Sequence, residues 1–260
     1  MGKVYLIVVP FFLCCLSLNC YSKSWGNFKC YHQITDKEVL IETSNGAQIL
    51  ITAIDSQALQ ISASANKRFN LIPPKQISKY KHLEGSVYVE ELDEMMQITT
   101  SSPKGIVISI NKKPLYLTYI SKENGNILLN ESTITSKARQ NISFEYKSNK
   151  NETLMLQTCK GIQKQFQNID KGICYSPESI KAFSSGNNIC LISSKSYSVL
   201  LESEIEAQID LSEPETIKIS KTKAKEPLIQ FMLFLDTKQP ELFEKYAQIL
   251  LGKDRLISLN

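Results

Sequence analysis

From residue 36 to about residue 235, apolar and polar positions alternate with a period of two. That period belongs to strands that bury one face, because successive side chains on a strand point to opposite sides. Val39, Ile41 and Thr43 alternate, Ser44-Asn45-Gly46 follows, and Ile49, Ile51 and Ala53 alternate back. Asn-Gly between two such runs predicts a tight hairpin whose central residues both take positive φ. Ile98 and Thr100 lead through Ser102-Pro103-Lys104-Gly105 into Ile106, Ile108 and Ile110, which predicts a second hairpin. Leu115, Leu117 and Tyr119 alternate, and Lys122-Glu123-Asn124-Gly125-Asn126 turns the chain into Ile127–Leu129. Further strands are predicted over 142–147, 153–158, 189–193, 197–202, 205–210, 215–220 and 228–235. Many short strands with turn signals between them imply an all-β sandwich or barrel.

Three stretches depart from this pattern. Residues 1–22 read as a secretory signal peptide: Lys3, then Val4–Leu18 without a charge. That run is short of the roughly 20 apolar residues of a membrane span. Cleavage after Ser22 predicts a secreted or periplasmic protein, and cleavage before Cys20 would instead give a lipid-anchored envelope protein. The polar stretch 130–153 reads as a long loop region, although Ile142, Phe144 and Tyr146 alternate within it. Its Asn-x-Ser/Thr triplets at Asn130, Asn141 and Asn151 read as chance matches in an Asn-, Ser- and Thr-rich segment. After Pro240, Leu242, Phe243, Tyr246, Ile249 and Leu250 share one helical face and Gly252 stops the run, which predicts a C-terminal amphipathic helix. The predicted organisation is therefore a signal peptide over 1–22, a β-sandwich domain over 23–235, and a helix and tail over 236–260.

Composition narrows the chemistry. Of 260 residues, 42% are hydrophobic, which is enough to bury a sizeable core. The formal charge is +4, but only three of the 30 basic residues are Arg (Arg68, Arg139, Arg255). Nucleic-acid sites depend on Arg for bidentate and stacking contacts, so no nucleic-acid partner is expected. His32 and His82 are the two histidines. Their scarcity argues against His-based metal sites and most His-dependent acid–base catalysis, so no metal and no cofactor are expected.

Cys30, Cys159, Cys174 and Cys190 would survive cleavage after Ser22. They fit either disulfide bridges in an oxidising compartment or buried small apolar residues. The acidic cluster Glu90, Glu91, Asp93 and Glu94 offers paired carboxylates of the kind glycoside hydrolysis needs. As a charge run it reads better as a solvated turn. Trp25, Tyr31 and Tyr88 are candidates for stacking on sugar rings, against the commoner role of strand aromatics in a core. Lys218, Lys221, Lys223 and Lys225 read as a solvated edge. There is no GxGxxG, Walker, HExxH or GxSxG motif, so no catalytic residue is assigned and the ligand-binding residues stay unknown.

The chain resembles the N-terminal β-domain of family-31 glycoside hydrolases, the α-glucosidase and α-xylosidase group. The likeness is carried by the hairpin within Val39–Ala53, ending ETSNGAQILITA, and by residues 97–129, with Lys113-Pro114-Leu115 ahead of an aromatic strand and an acidic Asn-Gly turn. Leu191–Ser203 and Phe231–Lys253, with Tyr246 and Gly252-Lys253, are similar to the strands and helix that lead into the family's barrel. The resemblance implies a two-sheet antiparallel β-sandwich of the galactose mutarotase type. The family's Tyr-Gly-Leu-Gly-Glu stretch, which helps its β-domain meet the barrel, is replaced by Gly161–Tyr175. The family's catalytic carboxylates lie in the (β/α)₈ barrel, so none carries over. The expected function is a secreted, non-catalytic carbohydrate-associated domain, stand-alone or truncated, that binds an α-glucan or xyloglucan-type glycan or docks a separate barrel. The alternative is an enzyme, either a mutarotase-type aldose epimerase or a small glycosidase.

Overall fold

A computed structural model describes residues 23–65, 85–137, 141–147, 152, 154–160, 163–168, 174–175, 188–201, 207–210, 216–221 and 228–235. The predicted signal peptide, His82, Asn151, Lys223, Lys225 and the predicted C-terminal helix lie outside the described residues. Nineteen strands are described. In chain order they are β1 (Lys23–Ser24), β2 (Phe28–Thr35), β3 (Glu38–Thr43), β4 (Gln48–Asp55), β5 (Ala58–Ser64), β6 (Val87–Glu91), β7 (Met95–Thr100), β8 (Ile106–Lys112), β9 (Leu115–Ser121) and β10 (Ile127–Lys137). They continue as β11 (Asn141–Lys147), β12 (Leu154–Lys160), β13 (Gln163–Asn168), β14 (Cys174–Tyr175), β15 (Asn188–Ser193), β16 (Tyr197–Leu201), β17 (Ala207–Asp210), β18 (Thr216–Lys221) and β19 (Leu228–Leu235).

The strands form two antiparallel sheets. One runs β14-β17-β18-β11-β10-β9-β8-β7-β6, with β1 added against β10, and the other runs β13-β12-β15-β16-β19-β5-β4-β3-β2. One apolar core joins side chains of both sheets. Ile98, Ile108, Tyr119, Phe144 and Ile219 come from the first, and Ile41, Ile51, Ile61, Val199 and Phe231 from the second. This is the predicted two-sheet sandwich.

The sheets differ in what lies on their outer faces. In the first, β7 and β8 alternate: Met96, Ile98, Ile106, Ile108 and Ile110 are buried, while the residues between them are partly exposed. That is the ordinary pattern of an antiparallel sheet with one wet face. In the second, β3, β4 and β5 are buried almost without interruption on both faces. The outward row is partly polar there. Glu38 pairs in register with Thr52, Thr52 with Gln60, and Gln60 with Met232, and all four are buried.

Three expectations change in detail. The loop predicted over 130–153 is largely the second part of β10 and all of β11. Ile134, Phe144 and Tyr146 join the core, with the partly buried Thr133, Thr135 and Glu145 beside them, so the predicted strand over 142–147 stands and the second part of β10 was concealed by its polar residues. The basic set does not mark a sheet edge either. Lys218 and Lys221 sit on β18, flanked by β17 and β11, and Lys218 Nζ lies 2.7 Å from Glu145 Oε1 on the neighbouring strand.

The Asn45-Gly46 turn is a longer loop than the dipeptide suggests. Gly46 has φ 82° while Asn45 is not in the positive-φ region, Gly46 N donates to Thr43 O, and Thr43 N donates to Ala47 O. That is a three-residue loop with glycine in the left-handed position, in which only one residue needs positive φ.

Candidate functional site

The acidic cluster occupies the tip of the β6–β7 hairpin. Glu90, Glu91, Asp93 and Glu94 are all exposed, and Leu92 N donates to Met95 O across the turn. Glu91 Oε1 is 2.8 Å from Lys112 Nζ, which also donates to Leu92 O at 2.6 Å. A carboxylate that serves as a general acid needs a raised pKa, which burial supplies. These four are solvated, so the hairpin-tip reading describes them and the hydrolytic pair does not.

The three weighed aromatics part company. Trp25 is a core residue, with its indole Nε1 buried and without a hydrogen-bond partner. Tyr31 is half-buried against the same core. Tyr88 is 65% exposed, on β6, the last of the described strands in the ten-stranded sheet. Glu90, two residues further along the same strand, shares its face, because side chains repeat every second residue. A ring and a carboxylate therefore stand side by side on one exposed surface.

The interior holds a polar cluster that the sequence did not signal. Glu152 is buried, and its Oε1 accepts hydrogen bonds from the hydroxyls of Ser193 and Tyr197. Burial pushes the Tyr197 phenol well above its usual pKa, reinforced by Tyr146 and the Glu152 carboxylate. Burial does the same to Tyr146 and Tyr119, whose hydroxyls have no hydrogen-bond partner. Three phenols held as neutral groups are donors and not bases.

The cysteines separate as well. Cys30 on β2 is a free thiol, neither bridged nor fully buried. On the backbone, Cys159 and Cys190 lie on neighbouring strands β12 and β15 but out of register, since Cys190 faces Gln157 and Cys159 faces Asn188. Cys174 is on β14 of the other sheet.

Cys30 stands in a group of three potential ligands. Its Sγ lies 3.7 Å from His32 Nε2 and 4.0 Å from Glu42 Oε2. Glu42 Oε1 accepts from Gln48 Nε2 at 3.2 Å, and Glu42 Oε2 lies 3.6 Å from Lys29 Nζ. Cys30 and His32 are two residues apart in the sequence, but the strand that puts them on one face, β2, lies ahead of the predicted strands. Glu42 was not legible there either, because only the β2–β3 register sets it opposite Cys30.

No protein-family model and no curated protein matches the chain. Solved structures do. A family-31 glycoside hydrolase dextranase from Flavobacterium johnsoniae, complexed with isomaltotriose, is similar at a TM-score of 0.64 and 15% identity, over 86% of this chain and 28% of the dextranase. A cycloalternan-forming enzyme from Listeria monocytogenes, in complex with a pentasaccharide substrate, is similar at a TM-score of 0.61 and 12% identity, over 87% of this chain and 22% of its own. A family-31 α-xylosidase from a soil metagenome, complexed with xylose, is similar at a TM-score of 0.54 and 13% identity, over 80% of this chain and 32% of its own. The chain thus spans less than a third of the length of each of these enzymes. The sandwich described above has the fold of a segment of family-31 glycoside hydrolases, as the resemblance of its hairpins implies.

Proposed function

We propose that this chain is a secreted, non-catalytic carbohydrate-associated module that works beside the catalytic barrel of an α-glucosidase- or α-xylosidase-type enzyme. One observation carries the reading: nearly the whole chain folds as a fraction of enzymes whose solved complexes hold isomaltotriose, glucose or xylose. Fold alone does not determine function, so the reading needs a surface that suits a glycan. Tyr88 with Glu90 is that surface. An exposed ring stacks on the apolar face of a sugar, and a solvated carboxylate accepts hydrogen bonds from its hydroxyls. Secretion rests on the charged and apolar opening at residues 1–22, with lipidation at Cys20 as its membrane-anchored form.

The test is affinity electrophoresis and calorimetry of the purified chain against isomalto-oligosaccharides, other α-glucans and xyloglucan fragments, with wild type and Tyr88→Ala in parallel. Binding that Tyr88→Ala weakens by tenfold or more, in line with the loss of about 1.4 kcal/mol from one stacking contact, supports the module and its surface. Silence across the panel, together with no retention of a family-31 barrel on the immobilised chain, rejects the module. Hydrolysis or mutarotation of a sugar by the chain alone would replace it with the enzymatic alternative.

A further inference from the structure

β2 is the outermost strand of the nine-stranded sheet, and Cys30 and His32 alternate on it, so both project to one face. The register sets Glu42 of β3 directly opposite Cys30. A thiol, an imidazole and a carboxylate thereby meet with their donor atoms all within 4.8 Å of one another. Tetrahedral zinc, with bonds of about 2.3 Å to sulfur and about 2.0 Å to nitrogen, sets those two ligand atoms roughly 3.5 Å apart. The Cys30 Sγ to His32 Nε2 separation of 3.7 Å is close to that edge, and Glu42 Oε2, 4.0 Å from the sulfur, would draw in to complete the set.

We propose that Cys30, His32 and Glu42 bind a zinc ion, with the fourth position left to water. The donor set suits zinc: thiolate and imidazole are its preferred soft and borderline ligands, and thiolate plus carboxylate neutralise its two charges. One competing partner of Glu42 is the Lys29 ammonium, whose side chain is 55% exposed. Such a pair contributes little and yields readily to a metal. Gln48, opposite Glu42 on β4, holds the other carboxylate oxygen and orients the group, as the neighbours of metal ligands commonly do. The ion would clamp edge strand β2 to β3.

The test uses the full chain, reduced and stripped of metal by a chelator, then titrated with Zn²⁺ and separately with Co²⁺. The expected result is one equivalent bound at micromolar concentration or below. Cobalt should give a near-ultraviolet thiolate-to-metal band that Cys30→Ser abolishes, and zinc should raise the thermal midpoint. His32→Gln and Glu42→Gln should each weaken zinc by about tenfold or more. Matching unfolding curves of the metal-free variants and wild type establish that the folds are intact, and if Cys30→Ser does not fold, the His32 and Glu42 variants decide. A cobalt–thiolate band that survives Cys30→Ser puts the ion on one of the other six cysteines and overturns the site. So does the absence of saturable binding, or unchanged affinity in both His32→Gln and Glu42→Gln.

Discussion

Phe144 of β11 and Phe231 of β19 meet edge-to-face across the sandwich, with ring centroids 4.8 Å apart and planes inclined at 71°. One ring comes from each sheet, so this contact belongs to the layer interface and to neither sheet alone. Both rings are fully buried, and Tyr146 adds a second edge contact to Phe144 at 6.4 Å. Phe231→Ala is expected to cost about 3–5 kcal/mol of stability. A double-mutant cycle with Phe144→Ala should return a coupling of about 0.5–1.5 kcal/mol by urea denaturation. Additive single losses would mean that the contact adds no energy beyond the burial of each ring.

The buried row on the outer face of the nine-stranded sheet carries a pH signature. Burial raises the pKa of Glu38 above 4.5, against the hydrogen bonds from Thr35 and Thr52 that lower it, and Asp36 adds repulsion. The folded state therefore holds this proton to higher pH than the unfolded chain does. The stability linked to it is fully present below pH 4.5 and is lost as pH rises through the folded pKa. Glu38→Gln, which keeps the shape but cannot ionise, should match wild type at low pH and exceed it near neutrality. Thermal midpoints of the two proteins measured from acid to neutral pH check this, and parallel curves would refute it.

Gly105 admits no side chain. A Cβ there would collide with Thr100 Oγ1 and lie 2.9 Å from Ser56 O and 3.0 Å from Ser102 O. Thr100 Oγ1 cannot move aside, because it donates to Ser56 O at 2.9 Å and accepts from Ile106 N at 2.9 Å. Gly105→Ala should therefore cost about 2–4 kcal/mol, the sum of overpacking and a broken hydrogen bond. Equilibrium unfolding within about 0.5 kcal/mol of wild type, the spread of ordinary surface substitutions, would show that the turn relaxes freely.

Ser196 sits at φ 63° in the turn between β15 and β16, where its N–H donates to Ser193 O at 3.2 Å. A side chain in this left-handed region costs about 1–2 kcal/mol, and glycine loses about 0.4–1 kcal/mol through its freer unfolded chain. The difference favours glycine, so Ser196→Gly should stabilise the protein by about 0.5–1 kcal/mol. Chemical denaturation of the variant measures it directly, and a loss of stability would contradict the turn geometry.

Much of this architecture was readable from side-chain alternation. The pairs β3–β4, β7–β8 and β9–β10 follow from Ile41/Ile49, Ile98/Ile108 and Tyr119/Leu129 and the turns between them. The second part of β10 was hidden because Asn130–Lys137 is mostly Asn, Glu, Ser and Thr, which compose loops equally well, whereas β11 was legible from Ile142, Phe144 and Tyr146. β5 was not distinguished because Ala58–Ser64 is buried on both faces, and burial on two sides erases the period of two. The candidate sites were less legible for a different reason. Alternation places Tyr88 beside Glu90 and Cys30 beside His32, but exposure and cross-strand neighbours depend on sheet order, which no local pattern encodes. Glu42 joins Cys30, and Glu152 joins Tyr197 45 residues away, only once the strands are assembled.

Among the described strands, β10 alone pairs with three others. It pairs with β9 from Ile127 to Ser132 and with β11 from Asn130 to Lys137, with β1 added at Thr135 and Ser136, and the register shifts on both sides over the stretch where the two pairings overlap. The two halves of the larger sheet are therefore spliced through a single irregular stretch of backbone. A register irregularity in a shared strand is where local opening on one side need not carry to the other, so amide exchange on the β6–β9 side and on the β11–β18 side can be compared across it.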